Sequence, residues 1–230
     1  MNNLTVAQTF NEPEDLGVSI WRYMTFDKFE SLIKDGLYFR RLDCFEDPFE
    51  GSFSYGNQKI RESILLPEME FDKLRTFSRE MRKRIYVSCW HINDCDSYAM
   101  WKIYSGCKGQ SVSIKTTARK LKENLSHVIL SQIKYIDYRS DRIPETNLYN
   151  IFCYKRKAFE YEKELRAWFI EIENHEVGIK RKITPGDLIE EIYIAPNAKN
   201  DLRPRLQELL TTNGLTTPIM QSPLDDKPLY

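Results

Sequence analysis

Between Val18 and Met220 the chain alternates short β-branched and aromatic runs with amphipathic stretches, and their spacing follows no repeat. The runs VSIWRY (18–23), IYVSCWH (85–91), QSVSIK (110–115) and EKELRAWFIEIE (162–173) have strand character, as do 37–40, much of 128–138, 192–195 and 215–220. In residues 26–35, Phe29, Leu32 and Ile33 share one helical face, with Thr25 placed to cap the start and Gly36 the end. The spacing predicts further helices over 56–84 with a break near Pro67, 97–104, from Thr116 or Thr117 to about 125, 147–159 and 197–212. Strands and helices that interleave without a regular βαβ rhythm predict one α+β domain over 18–221, preceded by a loose polar arm (1–17) and followed by a tail (222–230).

Composition narrows the class. Hydrophobic residues make up 41% and aromatics 13%, with 9 Gly and 10 Pro, which excludes collagen-like and low-complexity chains and supports a real core. Lys plus Arg and Asp plus Glu are 34 each, so a globally basic nucleic-acid binder is disfavoured. The opening residues lack a basic, then apolar, leader pattern, and the apolar stretches 63–67 and 167–172 are too short to span a bilayer. With five cysteines, an odd number, the expectation is a cytoplasmic protein with reduced thiols and no membrane association. Cys89, His91, Cys95 and Cys107 are spaced too widely for a zinc knuckle, so no metal site is expected.

The chemistry-bearing segment is YEKELRAW (161–168). Read as a strand, it puts Glu162, Glu164, Arg166 and Trp168 on one face, and Leu165, Ala167 and Phe169 on the core face. Two carboxylates at i and i+2 repel each other unless a cation such as Arg166 intervenes. That face is either a solvated strip of alternating charge or a carboxylate placed to stabilise a cation or take up a proton. Arg22, between Trp21 and Tyr23, needs an anion, which an internal carboxylate or a bound phosphate can supply. The acidic loop with Asp47 and Glu50 is either a plain turn or a site. Trp90 and Trp101 are core residues or ligand platforms. Lys73, Arg75, Arg79, Arg82, Lys83 and Arg84 form the wet face of a helix or a phosphate-binding patch.

The ordered motif string resembles a widespread bacterial and phage family of unknown function. It runs from WRYMTFDKFESLIKDGLYFRRLDCFEDPFEG through VSCW, AMWKIYS and SVSIK to YKRKAFEYEKELRAW and IYIAPNA, with Glu46 where that family has Asn. More remotely, the order of elements resembles that of ADP-ribosyltransferases. That resemblance implies a mixed, mostly antiparallel split sheet flanked by helices, and NAD as substrate. It implies that Arg22 holds the NAD phosphate or ribose, that Ser88 supports the nicotinamide side, that Tyr23 and Trp101 also bind the cofactor, and that Glu164 stabilises the oxocarbenium-like ribose with Glu162 as the upstream member of a Glu-x-Glu pair, Arg22 and the acidic pair converging on one pocket. Asp47, Glu50 and Arg166 stand as further candidates. The leading expectation is therefore an ADP-ribosyltransferase-like effector of phage defence or of a toxin–antitoxin pair, with a protein partner or antitoxin. The rivals are a non-catalytic module that binds a protein or nucleotide, and a Mg²⁺-dependent nuclease-type factor using Asp47, Glu50 and the 73–84 face.

Overall fold

The computed structural model describes residues 10–64, 68–104 and 110–230, without the side chains of 68 and 69. The chain is α+β, and its sheet pairings are mostly antiparallel. The described residues gather into two compact units, one built from Phe39–Cys89 and His127–Ile179 with Phe10–Pro13, the other from Glu14–Tyr38, Trp90–Ser126 and Lys180–Tyr230.

In the second unit, strand β1 (Ser19–Thr25) leads directly into helix α1 (Phe26–Asp35). Thr25 sits at the N-cap position, but its side chain makes no capping bond there. The exposed start of the helix is instead tied down by Phe26 N–H donating to the Gln110 carbonyl at 2.9 Å. Phe26, Phe29, Leu32 and Ile33 are buried, as the helical spacing requires. The chain leaves the helix through Gly36 at φ +111, a conformation that side chains resist. Strand β4 (Ser111–Thr117) pairs antiparallel with β1 over its whole length and with β10 (Glu191–Ile194) on its other edge. Beyond β10 lies β11 (Ile219–Gln221), parallel to it. Thr117 caps the helix over Ala118–Asn124 by accepting from Lys120 N–H.

In the first unit, β3 (Ile85–Ile92) pairs through Tyr86 and Val87 with β2 (Leu37–Arg41), antiparallel. It also pairs with β8 (Glu164–Ile170), whose other neighbour is β5 (Ile129–Gln132), antiparallel. Strand β6 (Lys134–Ile136) pairs parallel with β7 (Tyr154–Arg156). The core here gathers Ile85, Val87, Ile151, Phe152 and Trp168. Phe10 also packs its ring edge-on against Trp168 at 5.2 Å, and Asn11 exchanges hydrogen bonds with Gln132. The described end of the expected loose arm is therefore anchored by an aromatic contact and a strand-edge pairing.

The expected helix over 147–159 is not one helix. Asn147 caps only a 3₁₀ turn, Leu148–Cys153, after which β7 forms and a second 3₁₀ turn, Lys157–Glu162, follows. Pairing with β6 outweighs the local helical spacing. The end of the second turn also corrects the start of the chemistry-bearing strand. Lys163 adopts a left-handed conformation at φ +40, and the strand begins only at Glu164. Among the described residues no helix is long and apolar enough to cross a membrane.

Candidate active site in the first unit

Strand β8 has no solvated charged face. Glu164, Arg166 and Trp168 are as buried as Leu165, Ala167 and Phe169 on the other face. The expectation of a wet strip of alternating charge fails here, because a second set of charged groups covers it. The acidic loop folds as a turn in which the Asp47 carboxylate accepts from Phe49 N–H and the Asp47 carbonyl accepts from Glu50 N–H. Gly51, at φ +70, closes that turn, with the Phe152 ring too near to admit a Cβ. The turn drives Glu50 inward and leaves Asp47 paired with Arg156 at 2.8 Å.

The result is a buried ionic cluster. Arg166 Nε lies 2.7 Å from Glu164 Oε1, its Nη2 lies 2.7 Å from Glu50 Oε2, and its Nη1 donates to the Phe152 carbonyl at 3.0 Å. From β7, Lys155 Nζ reaches Glu162 Oε2 at 2.5 Å, Glu50 Oε1 at 3.2 Å and Glu164 Oε2 at 3.3 Å. These ion pairs set Glu50, Glu162 and Glu164 against Lys155 and Arg166. Side-chain exposure separates the members: 0% for Arg166, 1% for Glu50 and 3% for Glu164, but 13% for Glu162. Glu162 is thus the acidic member that solvent reaches best.

The two glutamates of the Glu-x-Glu pair are driven apart. Burial opposes the charge of Glu164, but Arg166 and Lys155 outweigh it and hold that carboxyl below its ordinary value. Burial raises Glu162 by more than the Lys155 charge lowers it, and the Glu164 charge adds a smaller upward push. Burial likewise disfavours the charges on Lys155 and Arg166, yet Glu164 and Glu50 keep both protonated. The Lys155–Glu162 contact is the shortest that Lys155 makes, and still both groups are raised. Burial is the reason on the Glu162 side, since it disfavours the carboxylate by more than the nearby ammonium favours it. Environments that push two neighbouring carboxyls in opposite directions assign them different tasks. Glu164 is held as an anion, and Glu162 is the member whose charge burial disfavours.

Neighbours the sequence reading passed over complete the cluster. Cys89, read as an ordinary buried thiol, shares a hydrogen bond with Glu164, and burial first, then the Glu164 charge, raises its pKa. Tyr135 Oη accepts from Glu164 N–H at 2.8 Å. Ser88, the residue chosen on that strand, is buried but points to the face opposite Cys89, since successive strand residues alternate. Lys155 was hidden by the helical reading of 147–159.

In the second unit, Tyr23 and Trp101 come together, with rings 4.9 Å apart and edge-on, in a buried cluster with Trp21 and Met100. The Tyr23 hydroxyl accepts from Ser97 N–H at 2.8 Å, and Trp101 Nε1 donates to Asp96 at 3.0 Å. Both are packing residues here. Arg22 projects from the other face of β1, with its Nη2 3.2 Å from the Tyr38 carbonyl and its guanidinium 5.6 Å from the Trp90 ring centre. Hollows of about 520 Å³, lined by Lys120, Glu123, Asn124, Thr184, Gly186 and Asp187, and about 240 Å³, between Arg203 and Ile219, contain none of the predicted site residues.

Among the described residues no group of three or more His, Cys, Asp or Glu side chains is placed to hold a metal ion. Asp47 and Glu50 are turned toward basic partners. Cys107, part of the weighed zinc cluster, lies outside the described residues. On the basic helix (Glu68–Arg82) and just beyond it, Lys73, Arg75 and Lys83 pair with Glu70, Asp72 and Glu80 one turn away, which dilutes the phosphate-binding patch.

No family model matches the chain, and no curated protein matches it, so the family resemblance rests on the motif residues themselves. Among solved structures, Thermus sp. 2.9 DarT in complex with carba-NAD+ aligns over 91% of this chain and 96% of its own, at 12% identity and a TM-score of 0.42. Thermus sp. 2.9 DarT in complex with NAD+ aligns over the same shares, at 10% identity and a TM-score of 0.44. A likeness of that depth carries no argument about activity.

Proposed function

We propose that the chain is an ADP-ribosyltransferase-like protein that uses NAD as its substrate, and that Glu162 is the carboxylate that meets the ribose. One observation carries this reading: Glu162 sits at the more exposed edge of a cluster whose other acids are buried and held by Arg166 and Lys155. Departure of nicotinamide breaks the glycosidic bond and leaves positive charge at the ribose C1. A fixed carboxylate at that point offsets the charge in the transition state. Burial also makes Glu162 a stronger base than a surface glutamate, suited to take the proton of the incoming acceptor. Glu164 stays ionised and supports the site from below. A role as an effector of phage defence or of a toxin–antitoxin pair rests only on the motif resemblance.

The test is nicotinamide release from NAD by the purified protein. Wild type is expected to turn over, and Glu162→Gln to lose about 10²-fold or more. No turnover by wild type, or equal turnover by Glu162→Gln, refutes the reading. A second reading, a non-catalytic module that binds a protein or nucleotide, is favoured by the full engagement of Glu164 with Arg166 and Lys155. It predicts NAD or protein binding without release of nicotinamide.

A further inference from the structure

We propose that Lys155 is a positioning residue, whose ammonium holds the Glu162 carboxylate in place and keeps it ionised. The proposal deepens the reading of Glu162 as the acting carboxylate and rests on it. An ammonium has three N–H donors. On Lys155 they face three carboxylate oxygens, Glu162 Oε2 at 2.5 Å, Glu50 Oε1 at 3.2 Å and Glu164 Oε2 at 3.3 Å. Two of those acceptors are fixed from outside, because Arg166 holds both Glu50 and Glu164 at 2.7 Å. Lys155 is therefore clamped by two immobile anions and offers its remaining donor to Glu162, the most accessible of the three.

The stem reinforces this aim. It leaves from β7, the side chain is only 8% exposed, and its nitrogen lies 4.8 Å from the Phe159 ring centre. Swinging into water would break all of these contacts together. The charged and titratable groups around the pair are Glu50 from the acidic turn, Glu164 and Arg166 from β8, Cys89 from β3, Tyr135 from β6, and the Asp47–Arg156 pair alongside. Arg166 reaches Glu50 and Glu164 in these ion pairs, while Lys155 contacts Glu162 directly. A lysine serving stability alone would be satisfied by Glu50 and Glu164.

The experiment follows the pH dependence of kcat/KM for NAD cleavage in wild type, Lys155→Met and Lys155→Arg. In parallel, the Glu162 carboxyl carbon is titrated by NMR, assigned by its loss in Glu162→Gln. In Lys155→Met, the Glu162 midpoint and the acidic limb of kcat/KM are expected to move up together by about one pH unit, a tenfold loss below the limb. Lys155→Arg keeps the charge but not the three-way geometry, so its midpoint stays near wild type while kcat falls. If Lys155→Met does not fold, Lys155→Met with Glu50→Gln removes one charge of each sign and takes its place. An unmoved Glu162 midpoint in folded Lys155→Met, or in the double variant that replaces it, overturns the proposal. A moved midpoint in protein that never cleaves NAD upholds the Lys155–Glu162 coupling and overturns the enzymatic reading instead.

Discussion

Replacing Arg166 with methionine removes the central cation of the first unit while keeping most of the side-chain volume. The guanidinium contacts Glu164 twice, at 2.7 and 3.2 Å, Glu50 at 2.7 Å and the Phe152 carbonyl at 3.0 Å. Arg166 and Glu50 are almost wholly shielded from water. Removing one partner of such a pair leaves the other charge buried without compensation and costs about 3–5 kcal/mol. Against a usual total of about 5–15 kcal/mol, that is a large share. With a urea dependence of about 2–3 kcal/mol per molar, the unfolding midpoint should fall by about 1–2.5 M, as read by far-ultraviolet circular dichroism. Adding Glu50→Gln to Arg166→Met should restore part of the loss, because one stranded carboxylate disappears, and the two changes should be strongly non-additive. A shift below about 1 kcal/mol, or simple additivity, would mean that water screens the cluster as it does a surface pair, and the account of a dry ionic centre would fail.

The two glutamates should also differ in stability. Glu164 is lowered, so its contribution is present above the ordinary carboxylate pKa and is lost as pH falls through its folded value; Glu162 is raised, so its contribution is present below the ordinary value and is lost as pH rises through its folded value. At neutral pH, Glu164→Gln should cost about 3–5 kcal/mol while Glu162→Gln stays within about 1 kcal/mol of wild type, and equal losses in thermal or urea melts would contradict the split. Gly51→Ala should destabilise by about 1–3 kcal/mol, since the new Cβ meets Phe152 Cε1 at 2.8 Å and the residue sits at φ +70; an unchanged melting curve would show that the acidic turn is not under this constraint.

Much of the fold could be read from the chain because its strands are written in apolar residues. IYVSCWH, QSVSIK and EKELRAWFIEIE announced β3, β4 and β8, and Phe29, Leu32 and Ile33 announced the first helix. The site was legible in composition but not in arrangement. A Glu-x-Glu-x-Arg pattern looks the same whether its face is wet or buried, and Glu50, distant in sequence, and Lys155, on a strand read as helix, are what cover it. The left-handed turn at Lys163 carries no glycine to advertise it, so Glu162 looked like a strand residue. Alternation along β3 separates Ser88 from Cys89, and the choice between them depends on which face of the sheet carries Glu164 and Arg166. Likewise Tyr23 and Trp101, expected to bind the cofactor, meet in a buried aromatic cluster.

The most direct test of Glu162 as the acting carboxylate is a crystal structure of this protein with a non-hydrolysable NAD analogue. The account predicts a Glu162 carboxylate oxygen within about 3–3.5 Å of the ribose C1 position, with Lys155 still bonded to the other side of that carboxylate. An analogue bound with its ribose away from Glu162, against an undisturbed ionic cluster, would contradict it.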